Sequence, residues 1–525
     1  MPVVSVLTGN RDIPFALTRQ FLQALFGPDL PPGLAIPLRP VLPPPRPAEP
    51  VEAERRLKSQ LRFYTRARVM RDFRGVAWAV GQRHPDGLVV EVPGQLHGAD
   101  HDFFSTLVAH GGVELRVHSG PADPTPATPN PHDQTAAEAH ELLSHPGDPG
   151  GRGDQYARTV SRLIGRYLRC GDSWTAAWLA DAVRDNNAEL DATAADAMAL
   201  AYLLQERTTE AELLLRPVAE VDDLAAARAC YTLAMLASRH HPRIWRDANR
   251  AERLLDRGWQ ILSRLPEDTD PHHERALNRN GMALVRFRRG EAEAAATLLE
   301  SALAGLPEPT PDDDGGHGAP VDVYRSVLQN NLGRVLASLP GEDFRAERAL
   351  RAATGIDPGF AEFWLDLVTF LSERDRLDEA EVAARMACQT STAVAAAPAL
   401  VGYLRALAGD HHAAATNYAR AAEMDPGRTE FLLAAAREAC AAEDYPTTRT
   451  WLARLRPAEL SADEAAEAEL LALEVEINSG PLPPPTQVAA SLEELARRYP
   501  DSQLVRDNLA AVRRSTDTGA GRVQA

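Results

Sequence analysis

The C-terminal two-thirds of the chain repeats one pattern of apolar and polar positions. Stretches that begin at Gly341, Asp375 and Gly409 are spaced 34 residues apart. The alanines in register are Ala346, Ala380 and Ala414, followed by Ala353, Ala387 and Ala421. Small residues at fixed places allow helices to approach closely. A repeat of this length therefore predicts stacked helix pairs, because one pair cannot bury its apolar face alone.

Further positions make this unit resemble the tetratricopeptide repeat (TPR) family, in which each unit is a helix, a turn and a second helix. Trp364 falls at the family's aromatic position in the first helix, and Leu332-Gly333 and Val401-Gly402 match its apolar-plus-small pair. The resemblance covers about 360 residues, in roughly eight or nine helix pairs. It implies an α-helical solenoid that binds other proteins, and it does not name the partner.

Glycine and proline mark the ends of the predicted helices. Gly341 and Gly409 suit the tight turn within a pair. Pro358 and Pro426 stop the second helix, because proline lacks the amide hydrogen and clashes with the preceding turn. Residues 306–320 interrupt the period, and we predict an exposed loop inserted there between two repeats.

Ahead of the repeats, short apolar runs alternate with helical patterns. A strand, a helix and a second strand in this order predict a parallel sheet with crossover helices. Residues 51–83 predict one or two further helices. The predicted strands are 2–7, 87–94 and 113–118, and the predicted helices are 16–26 and 101–112.

The predicted fold class is mostly α: a TPR-like helix-turn-helix solenoid preceded by a small α/β domain. We predict that domain over residues 1–118, with a proline-rich loop at 28–50, and a flexible linker over 119–155. The TPR-like solenoid follows over 156–513, and residues 514–525 form a disordered tail.

The strand at 87–92 and the following GADHDFFSTL are similar to the region around the second acidic motif of nucleotide-binding regulatory ATPases. In many of those proteins an α/β ATPase precedes a TPR array. A phosphate-binding loop needs G-x-x-x-x-G-K-[ST] after the first strand. This chain has TGNRDIPFALTRQ there, its only lysine is Lys58, and the acidic strand holds Glu91 but no aspartate. We therefore predict a degenerate nucleotide-binding-like domain and no cofactor.

Charge narrows the class of partner. The chain carries a net charge of −18, of which residues 1–155 contribute −2 and residues 156–525 contribute −16. Such a chain is a poor general binder of nucleic acid or of an anionic membrane. We expect a protein or peptide partner that is partly basic.

The cysteines and the start of the chain bear on its location. The four cysteines lie far apart with no CxxC spacing, which fits a reducing compartment. The sequence MPVVSVLTGNRDIP lacks the basic and apolar regions of a signal peptide. We expect a cytoplasmic protein.

Candidate chemistry is sparse. His97 and His101 lie four residues apart with Asp100 between them, a metal-binding pattern if the segment is helical, although Gly98 disfavours a helix there. Residues 140–145 read HELLSH, in which the histidines are five apart and point about 140° away from each other on a helix, unlike the zinc motif H-E-x-x-H. We predict no metal, no catalytic residue and no enzymatic activity.

Residues 51–83 form a basic segment with a net charge of +6 and interleaved aromatic residues. Arginines beside aromatics can grip phosphates and stack bases, so Arg55, Arg62 and Arg66 are candidates for phosphate or nucleic-acid contact. The alternative is an amphipathic helix whose aromatics are core and whose arginines meet the acidic repeats or solvent.

The TPR resemblance implies a binding groove lined by the first helix of each unit. In that register Asn280 and Asn330 take equivalent groove positions, and Arg334 and Tyr403 take the next row. Asparagine offers a donor and an acceptor to a peptide backbone, and Arg334 can pair with a carboxylate. The alternative is that Asn280 and Asn330 bridge neighbouring helices.

These observations favour a non-enzymatic interaction scaffold or regulatory adaptor that binds a protein or peptide on the inner face of a TPR superhelix. One alternative is a regulator whose N-terminal domain still responds to nucleotide. Another is a nucleic-acid-linked role, as in a transcriptional regulator, through the basic segment 51–83.

Overall fold

The computed structural model describes residues 3–5, 16–26, 66–93, 96, 98–118, 153–169, 173–185, 191–266, 271–307, 320–391 and 393–517. These ranges hold three strands and twenty-two α-helices. They divide into two compact units: Met1–Phe370 with Gln389–Ala393, and Leu371–Cys388 with Val394–Ala525.

A small parallel sheet forms the N-terminal domain of the first unit. Its strands lie in the order β1, β2, β3 and all run parallel. The strands are β1 (Val3–Ser5), β2 (Leu88–Pro93) and β3 (Val113–His118), and the helices are α1 (Ala16–Phe26), α2 (Arg66–Arg83) and α3 (Gly98–His110). The predicted order of strands and helices is confirmed.

Aromatic rings fill the core of this domain. Phe21 lies edge-on to Phe103 and Phe104, and Phe73 lies edge-on to Phe103, with centroids 5.1–6.0 Å apart. All four side chains are fully or almost fully buried. Edge-to-face contacts of this kind add to the free energy gained from burial alone, so α1, α2 and α3 are held against one another.

Helix pairs make up the rest of the first unit. Its helices are α4 (Gly153–Arg169), α5 (Ser173–Asp185), α6 (Ala192–Leu204), α7 (Thr208–Val218), α8 (Leu224–Met235), α9 (Ala248–Arg264), α10 (His272–Arg288), α11 (Ala292–Ala304), α12 (Pro320–Leu336), α13 (Asp343–Ile356) and α14 (Ala361–Ser372), the last of which belongs to this unit up to Phe370. From α4 to α13, each odd-numbered helix packs on the helix before it.

The second unit continues the same architecture. Its helices are α15 (Leu377–Thr390), α16 (Ala396–Leu407), α17 (His411–Met424), α18 (Thr429–Ala441), α19 (Tyr445–Leu452), α20 (Ala462–Asn478), α21 (Pro485–Arg498) and α22 (Gln503–Asp517). Helix α22 extends into the segment predicted as a tail, and α4 begins inside the predicted linker. The remaining domain boundaries stay a prediction.

The repeat is visible in the backbone of the turns. Gly341, Asp375, Gly409 and Glu443 are spaced 34 residues apart, and each has a positive φ, between 56° and 80°. This left-handed conformation reverses the chain between the two helices of a pair. The structure thus confirms the predicted turns.

Small residues hold the paired helices close together. All six alanines in register are buried to 0% exposure. A Cβ added to Gly333 would lie 2.6 Å from Leu350 Cγ, and one added to Gly402 would lie 3.0 Å from Tyr418 Cδ2. A larger side chain would therefore push the helices apart. The TPR-like helix-turn-helix fold is confirmed.

Candidate partner-binding surface

A chain of hydrogen-bonded polar side chains crosses the first helices of successive pairs in the first unit. The half-buried Asn280 on α10 accepts a hydrogen bond through Oδ1 from Asn331 Nδ2 on α12, at 2.9 Å. Burial raises the pKa of Tyr324, which lies beside Asn280 on α12, so its hydroxyl stays neutral. Neutral donors and acceptors of this kind suit a peptide backbone.

The chain of polar side chains continues to the next first helix. Asn330 on α12 donates through Nδ2 to Asp366 Oδ2 on α14, at 2.7 Å. Arg334 Nε lies 3.9 Å from the same carboxylate oxygen, and its side chain is 59% exposed. Asn280, Asn331, Asn330, Asp366 and Arg334 are called the polar row below. Its exposed end presents a guanidinium beside a carboxylate.

Asn330 is not the structural equivalent of Asn280, so that part of the prediction is wrong. The left-handed turn residues of the two pairs, Gly290 and Gly341, are 51 residues apart, which makes Asn331 the residue in Asn280's position. The insertion between α11 and α12 lengthens this unit beyond 34 residues, and the predicted register was one residue off. Asn330 is only 5% exposed, and its amide bridges α12 to α14.

Both asparagines therefore show the bridging arrangement, and their contact with a partner stays a prediction. Asp366 was not predicted from the sequence. It lies 36 residues after Asn330, close to one repeat length, and a search for polar residues one repeat further along would have found it.

Tyr403 lies on α16 in the second unit, and its side chain is 45% exposed. Arg405, two residues further along, donates to Glu381 at 2.6 Å and lies 3.5 Å from Asp410. The exposed phenol thus stands on a helix that ion pairs hold in place. Its role in binding stays a prediction.

The described part of the basic segment folds as α2, and its side chains point to several places. Arg66 donates to Asp102 on α3 at 3.2 Å, and the same carboxylate accepts from Trp174 Nε1 on α5 at 2.7 Å. Phe73 belongs to the core of the domain. Arg55 and Arg62 lie outside the described residues. For the described part, this is the amphipathic alternative, in which the aromatics are core and the arginines meet acidic groups.

Two further arginines of α2 reach the helix-pair region. Arg68 lies 2.9 Å and Arg71 lies 3.0 Å from Glu362 Oε1, at the start of α14. The Arg68 guanidinium also lies 4.9 Å from the centre of the Phe360 ring. The N-terminal domain therefore contacts both α5, through Trp174, and α14.

The acids of this contact have unequal pKa values. Burial raises the pKa of Asp72 to about 7, against the influence of Arg71. Burial also opposes ionisation of Glu362, but Arg68 and Arg71 outweigh it and hold the pKa of Glu362 below its usual value. Glu362 is therefore the ionised partner of the two arginines.

Metal and nucleophile chemistry finds little support in the described residues. Asp100 accepts hydrogen bonds from the backbone N–H and the hydroxyl of Thr18, at 2.8 and 2.5 Å, and so joins α1 to α3. No group of three or more His, Cys, Asp or Glu side chains converges in the part of the chain that is described. His97 and residues 140–145 lie outside it. Burial raises the pKa of the Cys440 thiol to about 12, so this thiol stays protonated and unreactive.

An acidic cleft of about 510 Å³ lies between α20 and α21 in the second unit. Glu469, Glu476, Glu494 and Arg498 contribute its charged side chains. Arg498 donates to Glu469 at 2.8 Å, which leaves an excess of negative charge. Among the helices described, none combines the length and apolar character needed to cross a bilayer.

Comparisons with known proteins return only solved structures. No protein-family model matches the chain, and no curated protein matches it. PilF of Pseudomonas aeruginosa is 18% identical, with a TM-score of 0.34 over 46% of this chain and 98% of its own. The C-terminal part of a TPR protein from Cytophaga hutchinsonii is 13% identical, with a TM-score of 0.40 over 55% of this chain and 99% of its own. YrrB, described as a TPR protein with an unusual peptide-binding site, is 18% identical, with a TM-score of 0.28 over 42% and 92%.

Proposed function

We propose that this protein is a non-enzymatic scaffold or regulatory adaptor that binds another protein across the first helices of its pairs. The observation that carries the proposal is the polar row, in which hydrogen bonds hold Asn280, Asn331 and Asp366 in place. Ordered donors and acceptors on rigid helices reduce the entropy lost when a peptide binds. Arg334 and Tyr403 add exposed groups of the kinds that dominate protein interfaces.

The partner is proposed to be partly basic, and the meeting place to be the cytoplasm. Support for a basic partner comes from the net charge of −18 and from the acidic cleft between α20 and α21. Complementary charge speeds association and excludes wrong partners. Support for the cytoplasm comes from Cys230, Cys388 and Cys440, all of which are unpaired thiols.

Affinity purification from the native cell tests the proposal. The tagged protein is compared with the double variant Arg334→Glu and Asp366→Arg, which reverses both charges of the polar row. The matched control is Arg345→Glu with Glu300→Arg, which reverses an ion pair between α11 and α13, the second helices. We expect a protein partner that is recovered at least tenfold less with the first variant and equally well with the control.

Recovery of no protein with the wild-type bait would overturn the proposal, as would equal recovery with both variants. A purified chain that turns over a substrate would also count against it.

A nucleotide-responsive N-terminal domain is a second candidate, favoured by the parallel sheet with crossover helices, which binds nucleotides in many proteins. Titration calorimetry with ATP and GTP, with and without magnesium, distinguishes the two. Micromolar binding would support this candidate, and absence of heat at millimolar nucleotide would eliminate it.

A further inference from the structure

The turn between α8 and α9 is longer and more elaborate than the other turns within pairs of the first unit. Helix α8 continues into a π-helical turn over Leu236–His240, and a 3-10 turn follows over Arg243–Trp245. We call Leu236–Asp247 the α8–α9 turn. π-helical insertions interrupt the regular hydrogen bonding of a helix and are frequent at functional sites. This one re-aims the side chains that follow.

Hydrogen bonds make the α8–α9 turn a rigid platform. The His241 N–H donates to Leu236 O at 3.0 Å, and the Asp247 N–H donates to Ala237 O at 2.9 Å. The buried His241 ring lies 3.1 Å from Thr208 Oγ1 and 2.8 Å from Glu212 Oε2, both on α7. The turn is therefore anchored to the preceding helix pair.

Four arginines on or beside this platform form what we call the arginine cluster: Arg239, Arg243, Arg246 and Arg288. Within the described residues, none of the four makes an ion pair with a carboxylate. Arg246 Nε donates to His241 O at 2.9 Å, and Arg288 donates to Ser238 O at 2.5 Å. These bonds satisfy carbonyls at the end of α8, and they leave the positive charges uncompensated.

Neighbouring arginines are paired, which sets the arginine cluster apart. Arg286 and Arg289 each lie 2.7 Å from Glu252, and Arg250 lies 2.5 Å from Glu212. Each of these guanidinium groups has a carboxylate within contact distance. The arginine cluster is thus a local positive surface in a strongly acidic chain.

The charges of the cluster lie close enough to act on each other. Burial, together with Arg239 and Arg246, lowers the pKa of His240 to about 3. Burial and the same two arginines lower the pKa of Arg288. A neutral imidazole therefore stands among the guanidinium groups, and a carboxylate brought into contact with them would relieve their repulsion.

Two large apolar side chains project from the tip of the same turn. Ile244 is 86% exposed and Trp245 is 59% exposed. The Trp245 ring lies edge-on to His241, with centroids 6.3 Å apart, so the indole is oriented rather than free. An exposed tryptophan beside unpaired arginines combines the two residue types most enriched among binding hot spots.

We propose that the α8–α9 turn is a docking surface for an acidic protein segment that carries an apolar side chain. Carboxylates of the segment pair with the arginine cluster, and its apolar residue packs on Ile244 and Trp245. A long polyanion such as RNA fits less well, because the positive surface is confined to one turn and the surrounding protein repels it. The surface uses no residue of the polar row, so it goes beyond the proposed function.

Selection of peptides from a random library tests this docking surface even while the partner is unidentified. Phage-displayed random twelve-residue peptides are selected on the full chain and then measured on the triple variant Arg243→Glu, Ile244→Ser and Trp245→Ser. These three side chains are exposed, so the fold is retained. The matched control is Arg449→Glu with Leu482→Ser, two exposed positions elsewhere.

We expect the selected peptides to share several Asp or Glu residues around a Leu, Phe or Trp. Their affinity should fall at least tenfold on the triple variant, should stay unchanged on the control, and should weaken as salt is raised. Peptides that are neutral or basic, peptides that bind the triple variant equally well, or a selection that yields none would overturn the proposal. So would a twenty-nucleotide uridine RNA that binds the turn more tightly than the selected peptides.

Discussion

At the scale of single residues, the turns show where the sequence compromises. The left-handed position of each turn is glycine at 341 and 409, but Asp375 and Glu443 occupy it in their turns. This conformation costs a residue with a Cβ about 1–2 kcal/mol, and it costs glycine almost nothing. The non-glycine turns are therefore strained.

Glu443→Gly is expected to stabilise the turn between α18 and α19 by about 1 kcal/mol, because it removes this strain. Gly409→Ala, in the preceding turn of the same unit, should destabilise by a similar amount. Hydrogen exchange of the helices on each side of the turn measures both changes. Slower exchange in Gly409→Ala, or faster exchange in Glu443→Gly, would contradict the strain argument.

Glu212 is the acid that anchors the α8–α9 turn. Burial opposes its ionisation, but Arg250 and Arg216 outweigh burial and lower its pKa to about 2. A carboxyl group with a lowered pKa stabilises the fold above its unfolded pKa, and that contribution is lost as the pH falls from about 4.5 to about 2.

Glu212→Gln should therefore cost about 2 kcal/mol of stability at pH 7 and little near pH 2. Melting temperatures from pH 7 down to pH 2 measure the difference between variant and wild type. Glu293→Gln, at an exposed position, serves as the control. A Glu212→Gln deficit that stays constant with pH would show that the carboxylate charge is not what matters.

Residue-level prediction from the sequence succeeded where spacing carried the signal. The buried alanines and the turn positions follow from the 34-residue period, because close packing tolerates only small residues there. The assignment of Asn330 was wrong because an insertion changed the count. The arginine cluster was not predicted, since nothing in the sequence shows that four arginines on α8, its turn and α10 lack carboxylate partners.

At the scale of elements, helix α2 is the structural link of the N-terminal domain. One face of α2 packs on the aromatic core, and its arginines reach Glu362 on α14. Gly75 lies where the backbone around Ala393 approaches most closely: an added Cβ would lie 2.6 Å from Ala393 Cα. Only glycine fits at this crossing without movement of the backbone.

Gly75→Ala should loosen this contact by about 1–3 kcal/mol, because neither backbone can yield easily. Gly81→Ala lies on the same helix, where the added Cβ would be 3.6 Å from Gly111 O. It should stabilise α2 by up to about 1 kcal/mol through helix propensity. Hydrogen exchange of α2 measures both variants, and the same sign for the two would contradict the close-approach argument.

Element-level prediction was accurate for the N-terminal domain because alternating strands and helices leave few topologies. The basic character of 51–83 left two interpretations open. Its arginines meet Asp102 and Glu362, groups more than thirty residues away in sequence. Such pairing depends on tertiary packing, which no local pattern encodes.

At the scale of the whole molecule, helix pairs supply many exposed first helices and little enclosed chemistry. The described residues contain neither a metal-ligand cluster nor a membrane-spanning helix. The polar row and the arginine cluster differ in charge, so a chain of this kind can bring together two partners of opposite character.

The central claim is that a protein partner binds across the first helices of the pairs. The most direct measurement is hydrogen exchange of the chain, alone and in complex with the partner recovered by affinity purification. The account predicts slower exchange in α10, α12 and α14, with little change in the second helices α11 and α13. Protection confined to α11 and α13, or no protection in any of these helices, would contradict it.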